Sequence, residues 1–320
     1  VLPAVQVSAQ SPSWDALTPD DAIFVTTRCI EEWSPWAKTH SIDVQNWRQW
    51  KFEPANEHGT HCFAKCLLKS IGIFDVRGAK FKGDRIVKQW ETYAKEIGTL
   101  DLREEVENFS KLLDSEQPLQ SSKCDAVSKG YADKCGKYAD VARKIFFIDE
   151  TTAKKFYEAK GDTVKKNGQS YFEFCENIYY PAGSANRRDL CKVRNYQVLE
   201  DDTFKNHINC IFKGLRYLDR DNKIDPFEID RDFELVKKVS PKMVQALSKC
   251  LKENGKDPLL NAFNFYKCML NDPIAEDFKE AFNYREIRSQ DYDYILKGIQ
   301  TYDKNAIDQK VKEVDKKQCP

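Results

Sequence analysis

Apolar residues recur along this chain at intervals of three and four, and alternating β-branched runs are scarce. The pattern therefore predicts helices almost throughout. The first begins at Thr18-Pro19-Asp20-Asp21. There a threonine is placed to cap, a proline takes the first helical position, and acids meet the positive end of the helix dipole. Ile23, Phe24, Thr27 and Ile30 then mark one face, with Cys29 beside it. Cys62 and Cys66 stand one turn apart on one helix face. Neighbours so placed are poorly set to bond each other and well set to staple their helix to different partners. Gly72 ends that helix, and the charged stretches 76–110 and 141–167 keep helical apolar spacing.

A weak internal repeat suggests two modules. Cys66-Leu-Leu-Lys-Ser-Ile-Gly-Ile-Phe-Asp75 resembles Cys210-Ile-Phe-Lys-Gly-Leu-Arg-Tyr-Leu-Asp219, with cysteine, lysine and aspartate coinciding. The preceding cysteine lies at similar range in both, Cys29 before Cys66 and Cys175 before Cys210. A chain of 320 residues has the length of about two domains. The boundary is expected in the Lys-, Glu- and Gly-rich stretch between 150 and 170, giving domains at 14–160 and 161–320.

Composition narrows the class. Lys+Arg and Asp+Glu balance at 51 each, which argues against a nucleic-acid partner recruited by bulk attraction. No apolar run approaches the ~20 residues that span a bilayer, so no membrane partner is expected. Eleven cysteines fall into two spaced groups with no CxxC pair, the usage of a secreted, disulfide-stapled protein. Their number is odd, with Cys135 the candidate for a thiol or an alternative bridge. Val1 to Gln10 reads as the tail of a signal peptide, with small residues at Val7-Ser8-Ala9. Asn108-Phe109-Ser110 is a glycosylation sequon.

Enzyme and metal motifs fare poorly. His58, His61, Cys62 and Cys66 fit no standard zinc spacing and read as two surface histidines near a disulfide helix. Asp219-Arg-Asp221-Asn-Lys223-Ile-Asp225 resembles a calcium loop but lacks glycine at its sixth position and the closing glutamate. No nucleophile elbow, phosphate loop or dinucleotide fingerprint occurs, and the four histidines lie in no triad context. No enzyme, cofactor or metal is expected. Aromatics are more suggestive. Trp33, Trp36, Trp47 and Trp50 precede Cys62, and Phe63 follows it, as core or as the wall and mouth of an apolar pocket. In the second half Arg194, His207, Tyr266, Asn283 and Glu286 stand beside apolar helical faces, where spacing alone reads them as surface or cap residues. Asn283 and Glu286 share a face.

Tyr171-Phe-Glu-Phe-Cys175-Glu-Asn-Ile-Tyr-Tyr-Pro-Ala-Gly-Ser184, Leu190-Cys-Lys-Val-Arg194, Phe278-Lys-Glu-Ala-Phe-Asn-Tyr-Arg-Glu-Ile-Arg-Ser289 and Lys317-Gln-Cys-Pro320 resemble the long-form D-seven salivary proteins of mosquitoes. The resemblance runs from about Trp14 to the end. It implies an all-α fold of two tandem disulfide-stapled odorant-binding-protein-like domains, secreted in saliva and acting as a monomer. It implies bridges Cys29–Cys66, Cys62–Cys124, Cys175–Cys210, Cys191–Cys319 and Cys250–Cys268, with Cys135 left over. The implied role is non-enzymatic sequestration of small host mediators of haemostasis and inflammation.

Two pockets are implied. The first module would take an eicosanoid such as a cysteinyl leukotriene among Trp47, Trp50 and Phe63. The second would take a biogenic amine, with Arg194, His207 and Tyr266 toward the ring and Glu286 and position 283 at the ammonium. Amine binders of the family carry aspartate at that position, where this chain has Asn283. Removing one partner of a buried charge costs about 3–5 kcal/mol, so amine binding is expected to be weak or absent. Adenine nucleotides, ADP and ATP, are the preferred ligands on this reading. Their phosphates would meet Arg143, Lys144, Lys154, Lys155 and Arg194, with Asn283 and Tyr284 alongside. Leukotrienes or amines are the alternatives, as is a protein partner held at the surface.

Overall fold

The computed structural model describes residues 14–36, 40–52, 57–115, 117–146, 150–166, 168–219, 222–252, 257–290 and 302–319. The signal-peptide reading at Val1 to Gln10, Asp221 of the calcium-like loop and Pro320 lie outside them. Two compact units divide the chain, Val1–Gly161 and Asp162–Pro320. Both are helical.

The first unit holds α1 (Pro19–Trp33), α2 (His40–Arg48), α3 (His58–Ser70), α4 (Asp84–Ile97), α5 (Arg103–Asp114), α6 (Cys124–Cys135), α7 (Ala139–Phe146) and α8 (Glu150–Lys160). Thr18 caps α1 in a full capping box with Asp21, satisfying two backbone N–H groups. The buried stripe of α1 is Ala22, Thr26 and Cys29. The face expected from Ile23, Phe24, Thr27 and Ile30 is half-buried instead. The Cys29–Cys66 bridge to α3 turns the cysteine side inward.

Helix α3 is central, burying Cys62, Phe63, Ala64, Leu67 and Leu68. Its second bridge, Cys62–Cys124, reaches the start of α6. Gly72 follows α3 at φ +88°, a left-handed position that favours glycine. The chain then makes a short antiparallel hairpin, β1 (Phe74–Asp75) and β2 (Lys80–Phe81), pairing Phe74 with Phe81. His58 is exposed, but His61 is buried rather than on the surface. Cys135 is buried in this core, outside all five bridges.

The second unit holds α9 (Tyr171–Tyr179), α10 (Leu190–Arg194), α11 (Asp202–Gly214), α12 (Pro226–Leu235), α13 (Pro241–Leu251), α14 (Asn261–Leu270), α15 (Ala275–Arg288) and α16 (Lys304–Gln318). Ser170 and Glu173 form a capping box for α9, as Thr18 and Asp21 do for α1. Cys175–Cys210 ties α9 to α11, Cys250–Cys268 ties α13 to α14, and Cys191–Cys319 ties α10 to the end of α16. These five bridges are the pairs that the resemblance implies. Each removes conformational freedom from the unfolded chain, an effect of about 2–4 kcal/mol.

Helix α15 lies within the unit and carries charge into it. The Arg285 side chain is fully buried, 3.2 Å from Glu228 and 3.4 Å from Asp232, and donates to the Leu215 carbonyl at 2.5 Å. Arg288 reaches Asp232 at 3.3 Å, and the Tyr217 hydroxyl donates to the same carboxylate. Burial raises the Asp232 pKa, and the two arginines oppose it. This network fixes the rotation of α15 against α12, and so decides which of its residues face the cavity described next.

Candidate functional site

A cavity of about 30 Å³ lies inside the second unit, lined from six helices. Helix α9 contributes Phe172 and Glu176, α10 contributes Arg194, and α11 contributes His207. Tyr266 comes from α14, Asn283 and Glu286 from α15, and Asp315 from α16. Tyr196 enters from the turn after α10.

Arg194 is the hub. Its Nε lies 2.6 Å from Glu176, its Nη2 3.0 Å from Glu286 and its Nη1 3.1 Å from Asp315. The side chain is 5% exposed, so these pairs are little screened by water. Burial works to lower the guanidinium's pKa, but Glu286, Glu176 and Asp315 together hold it above its ordinary value. The carboxylates bear the complementary cost. Burial pushes Glu286 up from 4.5 to about 7, against the pull of Arg194. Burial likewise raises Glu176 and Asp315, again opposed by Arg194. Ser170 adds a hydrogen bond from its hydroxyl to Glu286 at 3.3 Å.

His207 is wholly buried, and neither ring nitrogen has a hydrogen-bond partner among the described residues. Burial, then Arg194, pushes its pKa down from 6.5 to about 3, so the ring is neutral at physiological pH. It sits edge-on to Tyr180 at 5.2 Å. Tyr266 is buried against Phe282 and Phe278, with burial raising its phenol pKa. The Tyr196 hydroxyl donates to Asn283 Oδ1 at 2.5 Å.

The five residues Arg194, His207, Tyr266, Asn283 and Glu286 therefore line one cavity. The sequence reading did not include Glu176, Tyr196 or Asp315. Glu176 follows Cys175 within a quoted motif and Asp315 lies one turn before Cys319, so the cysteines were the available signal. Tyr284, next to Asn283, lies outside the cavity lining and meets the Tyr302 ring at 5.0 Å, with Arg288 over its ring.

In the first unit Arg143 is 3.8 Å from Asp140, and Lys144, Lys154 and Lys155 are exposed on α7 and α8. Trp47, Trp50 and Phe63 are core residues. Trp47 stacks on Phe63 at 4.5 Å and donates to Thr60 at 3.0 Å, and Trp50 stacks on Phe146 at 5.5 Å.

Disulfide-tied helical units, one holding a cavity with buried charge, have the build of a small-ligand-binding protein. Residues 20–156 and 157–272 each match the PBP/GOBP family. The long form salivary protein D7L2 of Aedes aegypti is 41% identical over 323 residues, spanning 100% of this chain and 96% of that one. The solved AeD7–leukotriene E4 complex superposes with a TM-score of 0.71 at 35% identity, covering 90% of this chain and 95% of that one. The AnSt-D7L1–U46619 complex does so with a TM-score of 0.72 at 29% identity, covering 94% and 97%. The chain belongs to the PBP/GOBP family and, within it, to the mosquito long-form D7 salivary proteins, which are secreted in saliva.

Proposed function

We propose that this protein sequesters a small organic amine in the second unit, with the ammonium held among Glu176, Glu286 and Asp315. The supporting observation is charge: three carboxylates surround one guanidinium in the cavity. Arg194 is the one cationic side chain lining it among the described residues, and it is already ion-paired. An ammonium would favour the ionised form of these carboxylates, whose pKa values burial raises, whereas an entering phosphate would oppose it. The sequence argument against an amine counted Glu286 alone. Glu176 and Asp315 offset the loss of a carboxylate at Asn283.

The aromatic rings of Phe172, Tyr266 and Phe282 suit the ligand's ring, and the neutral His207 nitrogens suit a ring hydroxyl or N–H. At about 30 Å³ the cavity has room for a couple of waters. An aromatic amine enters as the lining side chains part and Arg194 yields a carboxylate to the ammonium. The ligand leaves unchanged, as befits a scavenger of host mediators.

A second reading gives the first unit an eicosanoid. Two relatives solved with lipid ligands, leukotriene E4 and U46619, support it at 35% and 29% identity. So does the Tyr131 hydroxyl, which has no hydrogen-bond partner among the described residues and is buried near the rings of Trp50, Phe52, Phe81 and Phe109. The nucleotide reading rests on half-buried Arg143, paired with Asp140, and on the exposed Lys144, Lys154 and Lys155.

Calorimetric titration at physiological salt with serotonin, leukotriene E4 and ADP separates these readings. Serotonin is expected to bind with a Kd of about a micromolar or tighter. Glu286→Gln is expected to weaken it at least about tenfold. Serotonin giving no heat at tens of micromolar overturns the amine reading, and ADP heat in its place favours the nucleotide.

A further inference from the structure

We infer that Tyr196 and Asn283 select for amines carrying a hydroxyl on the carbon next to the aminomethyl group, preferring arylethanolamines to arylethylamines. This rests on the amine reading of the same cavity. Tyr196 follows α10 at φ +62°, the left-handed position where glycine or asparagine is usual. Its N–H bonds the Val193 carbonyl at 2.9 Å, and Gln197 N–H bonds Lys192 at 3.0 Å, closing the helix. Arg216 and Lys237 take a similar φ after α11 and α12, so what marks Tyr196 is its place in the cavity lining.

That side chain ends on Asn283. A separation of 2.5 Å fits an O–H···O bond and is short for N–H···O, so the phenol donates to Oδ1. This orients the amide. Its oxygen is committed to Tyr196, and its Nδ2 group makes no other hydrogen bond among the described residues. Asn283 thus offers the cavity N–H donors, which repel an ammonium and accept nothing from it, but pair with a ligand oxygen. Glu286 lies one turn along the same face, about 5–6 Å away between Cβ atoms. An oxygen on the carbon beside the aminomethyl group lies about 3 Å from the nitrogen, so Asn283 and Glu286 can reach the two at once. Aspartate at 283 would do the reverse, accepting from the ammonium and from Tyr196.

Octopamine and tyramine differ by that one hydroxyl and serve as probes. The wild-type chain is expected to bind octopamine about three- to tenfold tighter than tyramine. Tyr196→Phe releases the amide to rotate and should bring the ratio toward one. Asn283→Asp should favour tyramine relative to the wild-type ratio. A wild-type ratio of one, or a preference that survives Tyr196→Phe, overturns the inference while leaving amine binding intact. If neither amine binds the wild-type chain, the amine reading itself falls, and this selectivity with it.

Discussion

At the scale of single residues, the cavity is governed by titration. Glu286 has a folded pKa of about 7 against 4.5, so between those values the native state holds a proton that the unfolded chain has lost. Its contribution to stability therefore falls as pH rises through that window. His207 works oppositely. With a folded pKa of about 3 against 6.5, it refuses a proton that the unfolded chain accepts. Its contribution is present above 6.5 and is lost as pH falls toward 3. His207→Phe keeps an aromatic ring against Tyr180 and removes this term. The variant should lose less melting temperature than the wild type between pH 7 and pH 4, read by circular dichroism. Equal losses would show that the buried imidazole does not titrate as argued.

At the scale of elements, α15 shows where sequence patterning reaches its limit. Phe278, Ala281, Phe282, Tyr284 and Ile287 are buried, but so are Arg285 and Glu286. A helix with charge on its inner side has no clean apolar stripe, so Asn283 and Glu286 read as surface residues from spacing alone. The network of Arg285, Glu228, Asp232, Arg288 and Tyr217 makes that burial tolerable. Breaking one partner of such a set strands the others. Arg285→Met is expected to destabilise the second unit by about 3–5 kcal/mol, measured by urea unfolding. Glu228→Gln and Asp232→Asn added together should recover part of the loss. By contrast the start of α1 was legible, because a cap depends on a few adjacent residues.

At the scale of the whole molecule, each unit has its own apolar core and its own bridges. Units built this way can specialise separately, and the two ligand readings fall in different ones. Titrations with serotonin and with leukotriene E4 should therefore be additive, one of each per chain, with neither displacing the other. Displacement of one by the other would mean that they share a site.

Local chemistry and residue counting carried part of the structure without any tertiary information. Capping residues, a helical apolar period, Gly72 after α3, and a cysteine pattern recognisable as that of the D7 proteins were all readable along the chain. So were five of the cavity residues, through that resemblance. Tertiary structure alone decided the charge of the cavity. Glu176 and Arg194 stand 18 residues apart on α9 and α10, Asp315 lies 121 residues beyond Arg194 on α16, and their ionic balance exists only once the three helices converge. A substitution at one position, Asn283, looked decisive when two anions were counted. In the folded chain Asn283 is one of several polar groups lining the cavity, with its Oδ1 accepting from Tyr196.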